Sequence, residues 1–143
     1  MSATVDANIL VYASDTRAES HDRAVALVQR LAMGPEILYL FWPVLLGYLR
    51  IVTHPGILAH PLSPVAALGN IESLLDRPHV RAPGELDGFW PMFRSTAGDR
   101  PRGNDVPNAH VAALMRQHGV RVIYTRDRDF RRFDGIDVRD PFG

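Results

Sequence analysis

The sequence predicts an α/β fold, with short strands alternating with helices around a parallel sheet. Three observations carry this expectation. Apolar runs at residues 3–5, 37–41 and 120–125 are short enough for strands, and longer stretches of helical periodicity separate them. Pro and Gly stand where helices should start and stop. The first apolar run ends in a carboxylate, Asp6, with a helix-like stretch coming at once after it. In open α/β sheets, ligands bind just beyond the carboxyl ends of the strands.

Taken in order, residues 3–5 (Ala3, Thr4, Val5) read as a buried strand and residues 7–13 as the start of a helix. His21 to Met33 carries Ala24, Leu27, Val28 and Leu31 at helical spacing, and Gly34-Pro35 closes it. Ile37 to Phe41 is a second strand. Pro43 suits the first turn of a helix over residues 44–53. Pro55-Gly56 and Pro61 mark a loop, and Ser63-Pro64 opens a helix to about Asp76. Residues 79–82 make a short strand and Pro83-Gly84 a turn. Residues 86–96 read as a helix that Pro91 should kink or shorten. After a polar loop from Gly98 to Gly103, a helix runs over residues 106–118 and ends at Gly119. Val120 to Thr125 is a strand, Phe130 and Phe133 anchor a turn, and residues 136–138 form a last strand. Such alternation implies a parallel sheet with right-handed crossovers. With no repeat, low-complexity segment or linker, residues 1–143 read as one domain.

Composition narrows the function classes. The chain is 46% hydrophobic and 22% charged, which is globular, and it has no cysteine, which excludes disulfides and thiolate metal sites and suits a reducing cytoplasm. No apolar run approaches the roughly 20 residues that span a bilayer, and no secretory signal is visible at the N-terminus. A cytoplasmic protein with no membrane association is expected. A formal net charge of zero argues against coating nucleic acid by bulk electrostatics. Every basic residue other than histidine is arginine. Arginine suits phosphate recognition, although a GC-rich genome gives the same bias.

Two strands end in carboxylates, at Asp6 and at Asp127. Each alone could cap the following turn. If the strands are neighbours, both carboxylates open onto one edge, where their repulsion favours a cation between them. Mg²⁺ or Mn²⁺ accepts such hard oxygen ligands and supports phosphodiester cleavage. A third piece is Arg102-Gly103-Asn104-Asp105-Val106-Pro107-Asn108, where Asp105 and Asn108, three apart at a helix entry, share one side. Helix N-termini also attract anions. Arg102, Arg126 and Arg128 could hold RNA backbone, as could Arg131 and Arg132. Pairing of Arg126, Arg128 and Arg131 with Asp127, Asp129 and Asp134 is the competing reading. His54, His60 and His110 fit no metal spacing. Trp42 and Trp90 read as core or dimer-interface residues.

These segments resemble the motifs of PIN-domain ribonucleases, specifically VapC toxins of bacterial toxin–antitoxin pairs. Residues 6–13 (DANILVYA) resemble the first motif, residues 45–55 (LLGYLRIVTHP) the second, 108–114 (NAHVAAL) the third and 124–130 (YTRDRDF) the fourth. The resemblance implies a three-layer α/β/α sandwich around a small parallel sheet, a homodimer, and Mg²⁺- or Mn²⁺-dependent endoribonuclease activity on tRNA or ribosomal RNA. It also implies inhibition by a VapB-type antitoxin. Asp6, Asp127 and Asn108 would be catalytic, with Asp6, Asp127, Asp105 and Asn108 as metal ligands. The pattern departs at two acidic positions, where this chain has Gly47 and Asn108. Asn108 can still offer an oxygen, but Gly47 offers nothing, so weakened catalysis is expected. Asp105, Asp129 or the RNA phosphate could complete the site. The alternative is a decayed enzyme that mainly binds an antitoxin and co-regulates the operon. A phosphatase-like nucleophile at Asp6 ranks last, because Asn8 stands where a second carboxylate is needed.

Overall fold

A computed structural model describes all of residues 1–143. Five strands form one parallel sheet: β1 (Ser2–Val5), β2 (Ile37–Tyr39), β3 (Val80–Arg81), β4 (Val122–Tyr124) and β5 (Asp137–Arg139), in the order β3-β2-β1-β4-β5. Six helices connect and cover them: α1 (Ala7–Ser14), α2 (His21–Met33), α3 (Trp42–Val52), α4 (Pro64–Leu75), α5 (Phe89–Ala97) and α6 (Asp105–Gln117). Parallel strands need such crossovers and are buried on both faces. This explains why Ala3, Thr4 and Val5 of β1 and all three residues of β4 are buried.

The order of strands positions the site. From β1 the chain moves outward through β2 to β3, then returns across the sheet to β4 and outward again to β5. The direction of winding reverses between β1 and β4. They pair in register, Val5 against Tyr124, and the Asp6 N–H continues the ladder to the Tyr124 carbonyl at 3.0 Å. The segments leaving these two strands therefore emerge side by side at the switch point, where ligands of open sheets bind.

Most helices keep the expected starts and stops. Residues His21–Met33 are helical as read, and Ser63 caps α4 by accepting from the Ala66 N–H at 3.1 Å. Several boundaries differ, the third strand covering only Val80–Arg81 of residues 79–82 and the fourth only Val122–Tyr124 of residues 120–125, and three of the differences have local reasons. The second strand is shorter than residues 37–41, because Pro43 falls at the second position of a helix that begins at Trp42. The fifth helix begins at Phe89 and not at residue 86, so Pro91 sits in its first turn. There its missing N–H had no helical partner to lose, and no kink is needed. The sixth helix begins at Asp105, with Asn104 preceding it as a cap that makes no side-chain hydrogen bond.

Phe130 and Phe133 anchor a 3-10 turn over Arg128–Arg132. Both are buried, and their rings meet edge to face at 6.0 Å between centroids. Phe130→Ala is expected to cost about 3–5 kcal/mol, the range for truncating a fully buried aromatic side chain, measured by urea unfolding. No helix is long and apolar enough to cross a membrane.

Candidate active site

Asp6 ends β1 in extended backbone and caps α1, its Oδ1 accepting from the Ala7 N–H at 2.7 Å. Its other oxygen faces β4. The Thr125 hydroxyl donates to Asp6 Oδ2 at 2.8 Å and accepts from the Asp127 N–H at 2.9 Å. Asp127 caps the 3-10 turn, with Oδ1 accepting from the Asp129 N–H at 2.9 Å. Its Oδ2 accepts from Asn108 Nδ2 of α6 at 3.1 Å. A chain of hydrogen bonds thus runs from Asp6 through Thr125 and Asp127 to Asn108, joining β1, the exit of β4 and the start of α6. Capping and site formation are not alternatives here, since each aspartate does both with different oxygens.

The electrostatics fit a shared pocket. Burial pushes the Asp6 carboxyl above its ordinary value, the Thr125 hydroxyl and Ala7 N–H pull it back, and the nearby charge of Asp127 pushes it up again. The folded state therefore binds the Asp6 proton more tightly than the unfolded chain does. Ionised Asp6 destabilises the fold, and this cost vanishes below its ordinary value of 3.8 and grows as pH rises through the raised folded value. Asp6→Asn is thus expected to raise the melting temperature of the metal-free protein at pH 7. The gain should fade toward pH 3.8 in thermal melts across that range.

Asp105 has a different surrounding. Its Oδ1 is held by Arg132 Nη1, and its Oδ2 accepts from the Arg102 N–H at 3.4 Å. The Arg132 hydrogen bond holds its carboxyl below the usual range. No group of three His, Cys, Asp or Glu side chains forms that could hold a metal ion. The carboxylates in the hydrogen-bonded chain are Asp6 and Asp127, with the Asn108 amide as the third candidate metal ligand. Two anionic oxygens and an amide oxygen still suit a hard divalent cation, with less charge than a three-carboxylate set.

Gly47 lies in α3 beside this site. A Cβ built there would meet only the Ala7 Cβ, at 3.8 Å, an ordinary contact next door to Asp6. Neither backbone nor packing demands a glycine at this position.

The arginines divide. Arg128 and Arg131 are exposed and make no ion pair with Asp129 or Asp134, and the Arg102 side chain is exposed and unpaired. Arg126 pairs with no aspartate either, because its guanidinium turns away toward Ser20, Tyr12 and Phe142. His110 bonds Glu85 Oε1 at 2.7 Å and packs against Phe89. Trp42 and Trp90 are 41% and 64% exposed, which corrects the core reading for both. Thr125, which bridges the two aspartates, was not singled out from the sequence. The β-branched run that ends there reads only as strand.

A five-stranded parallel sheet between helices, with acidic side chains gathered at its switch point, defines an α/β/α protein of the PIN type. The solved structure of Mycobacterium tuberculosis VapC20, a sarcin–ricin loop cleaving toxin, superimposes with a TM-score of 0.67 at 19% identity, covering 94% of this chain and 98% of that one. VapBC2 from Rickettsia felis, bound to a DNA fragment from its promoter, gives 0.63 at 13% identity, covering 97% and 98%. No family model matches the chain. Ribonuclease VapC48 of Mycobacterium tuberculosis is 54% identical over 143 residues, 99% of each chain. The chain belongs to the VapC ribonuclease family.

Proposed function

We propose that this chain is a divalent-cation-dependent endoribonuclease toxin of a toxin–antitoxin pair, weakened by its depleted acidic site. The observation that carries the reading is the hydrogen-bonded chain Asp6–Thr125–Asp127–Asn108 at the switch point. Asp6, Asp127 and Asn108 would hold Mg²⁺ or Mn²⁺, and Asp105 would join them only on leaving Arg132. When bound, the cation offsets the repulsion between the carboxylates and polarises the scissile phosphate. The chain's own groups orient the site. Thr125 fixes Asp6 and the Asp127 backbone together, while Asn108 steadies the Asp127 carboxylate. The unpaired Arg102 and Arg128 would contact RNA phosphates.

The similarity to VapBC2 supports a VapB-type antitoxin as partner, and the exposed Trp42 and Trp90 support a homodimer. The family membership supports RNA as substrate, with tRNA or ribosomal RNA as the class to test. The whole of residues 1–143 acts as one domain in this reading, in the cytoplasm.

The test is incubation of the purified chain with labelled RNA and Mn²⁺, beside Asp6→Ala. Cleavage by the native chain alone supports the reading, and equal cleavage by both rejects it. A second reading, a decayed enzyme that retains antitoxin binding, draws on Gly47, which leaves the pocket one carboxylate short. It predicts no cleavage by the native chain and undiminished antitoxin binding.

A further inference from the structure

Arg126 stands between two site residues, yet its side chain leaves the site. Thr125 and Asp127 reach toward Asp6 and Asn108, and Asp127 has extended backbone, φ −78° and ψ 105°. In extended chain the intervening residue points the other way. On that side the Arg126 guanidinium carbon lies 5.3 Å from the Phe142 ring centroid and 6.0 Å from that of Tyr12, and Nη1 donates to Ser20 Oγ at 3.0 Å. Phe142 is itself fixed. Its ring meets Tyr12 edge to face at 5.8 Å, its carbonyl accepts from Arg23 Nη1 at 2.9 Å, and its N–H donates to Asp140 Oδ1 at 2.9 Å. The segment after β5, helix α1 and the entry to α2 therefore converge on one guanidinium.

Thr125 is tied to the sheet through its N–H to the Arg139 carbonyl, and Phe130 is tied to the core. Between them the loop has the capping bonds at Asp127, the Phe130 N–H to the Asp127 carbonyl, the Asn108 amide on the Asp127 carboxylate and, on the opposite side, the Arg126 side chain alone. A cation over aromatic faces favours one lateral position for that side chain, and the backbone on either side moves with it.

We propose that Phe142, with Tyr12, is a positioning residue for the site: it pegs Arg126 and so sets the backbone from which Asp127 presents its carboxylate. Asp127's role toward a cation rests on the function proposed for this chain, but the pegging does not. Arg126 is on this account a loop anchor and not an RNA contact.

The experiment compares Phe142→Ala, Phe142→Leu and Phe142→Tyr in the full chain. Amide exchange is followed by NMR without metal, and Mn²⁺ affinity by calorimetry. Phe142→Ala should speed exchange at the Asp127 and Asp129 amides while leaving Thr4 and Ile123 protected. It should also weaken Mn²⁺ about tenfold, the lower range for losing a group that orients a ligand. Phe142→Leu keeps apolar bulk without a ring face and should loosen the same two amides even if Phe142→Ala fails to fold. Phe142→Tyr should restore both readouts. Unchanged exchange at 127 and 129, or equal loosening of the core amides, overturns the proposal. Exchange that responds in a chain showing no Mn²⁺ binding supports the peg and counts against the cation reading.

Discussion

Asp127→Ala is expected to eliminate measurable Mn²⁺ binding and to lower RNA cleavage by on the order of a hundredfold to a thousandfold, the range for removing one charge-stabilising group from an active site. The effect is large because the pocket has so little charge to lose. Asp6 and Asp127 are the carboxylates of the hydrogen-bonded chain, and Asn108 adds only a dipole. Alanine also removes the cap on the Asp129 N–H, a loss of about 1 kcal/mol in stability. Asp127→Asn separates the two effects. It keeps an oxygen for the cap and discards the charge, so its melting temperature should stay near that of the native chain while cleavage falls with alanine's. Cleavage by Asp127→Asn at the native rate would remove Asp127 from the catalytic set.

The paired change Gly47→Glu with Asn108→Asp should act in the opposite direction, raising Mn²⁺ affinity tenfold or more and cleavage with it. Two unit charges 4 Å apart interact by about 4 kcal/mol at an effective dielectric of 20, and desolvating the new carboxylates takes back part of each gain. The backbone tolerates the larger residue. The new Cβ makes an ordinary 3.8 Å contact with Ala7, and leaving glycine in a helix interior is worth about 1 kcal/mol. Without a cation the variant should be strained, because a carboxylate at position 108 would face Asp127 without a proton to donate. The signature is a melting temperature that is low in chelator and rises on adding Mn²⁺ more than that of the native chain. A variant whose stability ignores Mn²⁺ would show that position 47 does not border the cation site.

Much of this architecture is legible locally. Helix caps at Ser63 and Asp6 and the closing Gly34 are short-range signals, and the elements fall where those signals put them. Pro91 misleads because proline breaks a helix interior but not its first turn, and only the start at Phe89 decides which applies. Strand order is a nonlocal property. The apolar run of β4 is the same text whether it pairs with β1 or β3, so only the register turns the meeting of Asp6 with the exit of β4 from an expectation into a fact. Carboxylates at strand ends point to Asp6 and Asp127, and the helix entry and the family resemblance to Asn108, but none of these points to the hydroxyl that joins the two aspartates. The direction of Arg126 was also hidden, since composition cannot tell which side of an extended loop faces the pocket.

The pairing of the first strand with the fourth has a consequence for synthesis. The hydroxyl that steadies Asp6 lies 119 residues further along the chain. A ribosome that has released the first three strands has released a sheet with one side of β1 bare and half of the pocket missing. The pocket can assemble only after residues 125–127 have emerged. Chains that stop before the fourth strand therefore lack Thr125 and Asp127 and cannot assemble the site, whatever their length.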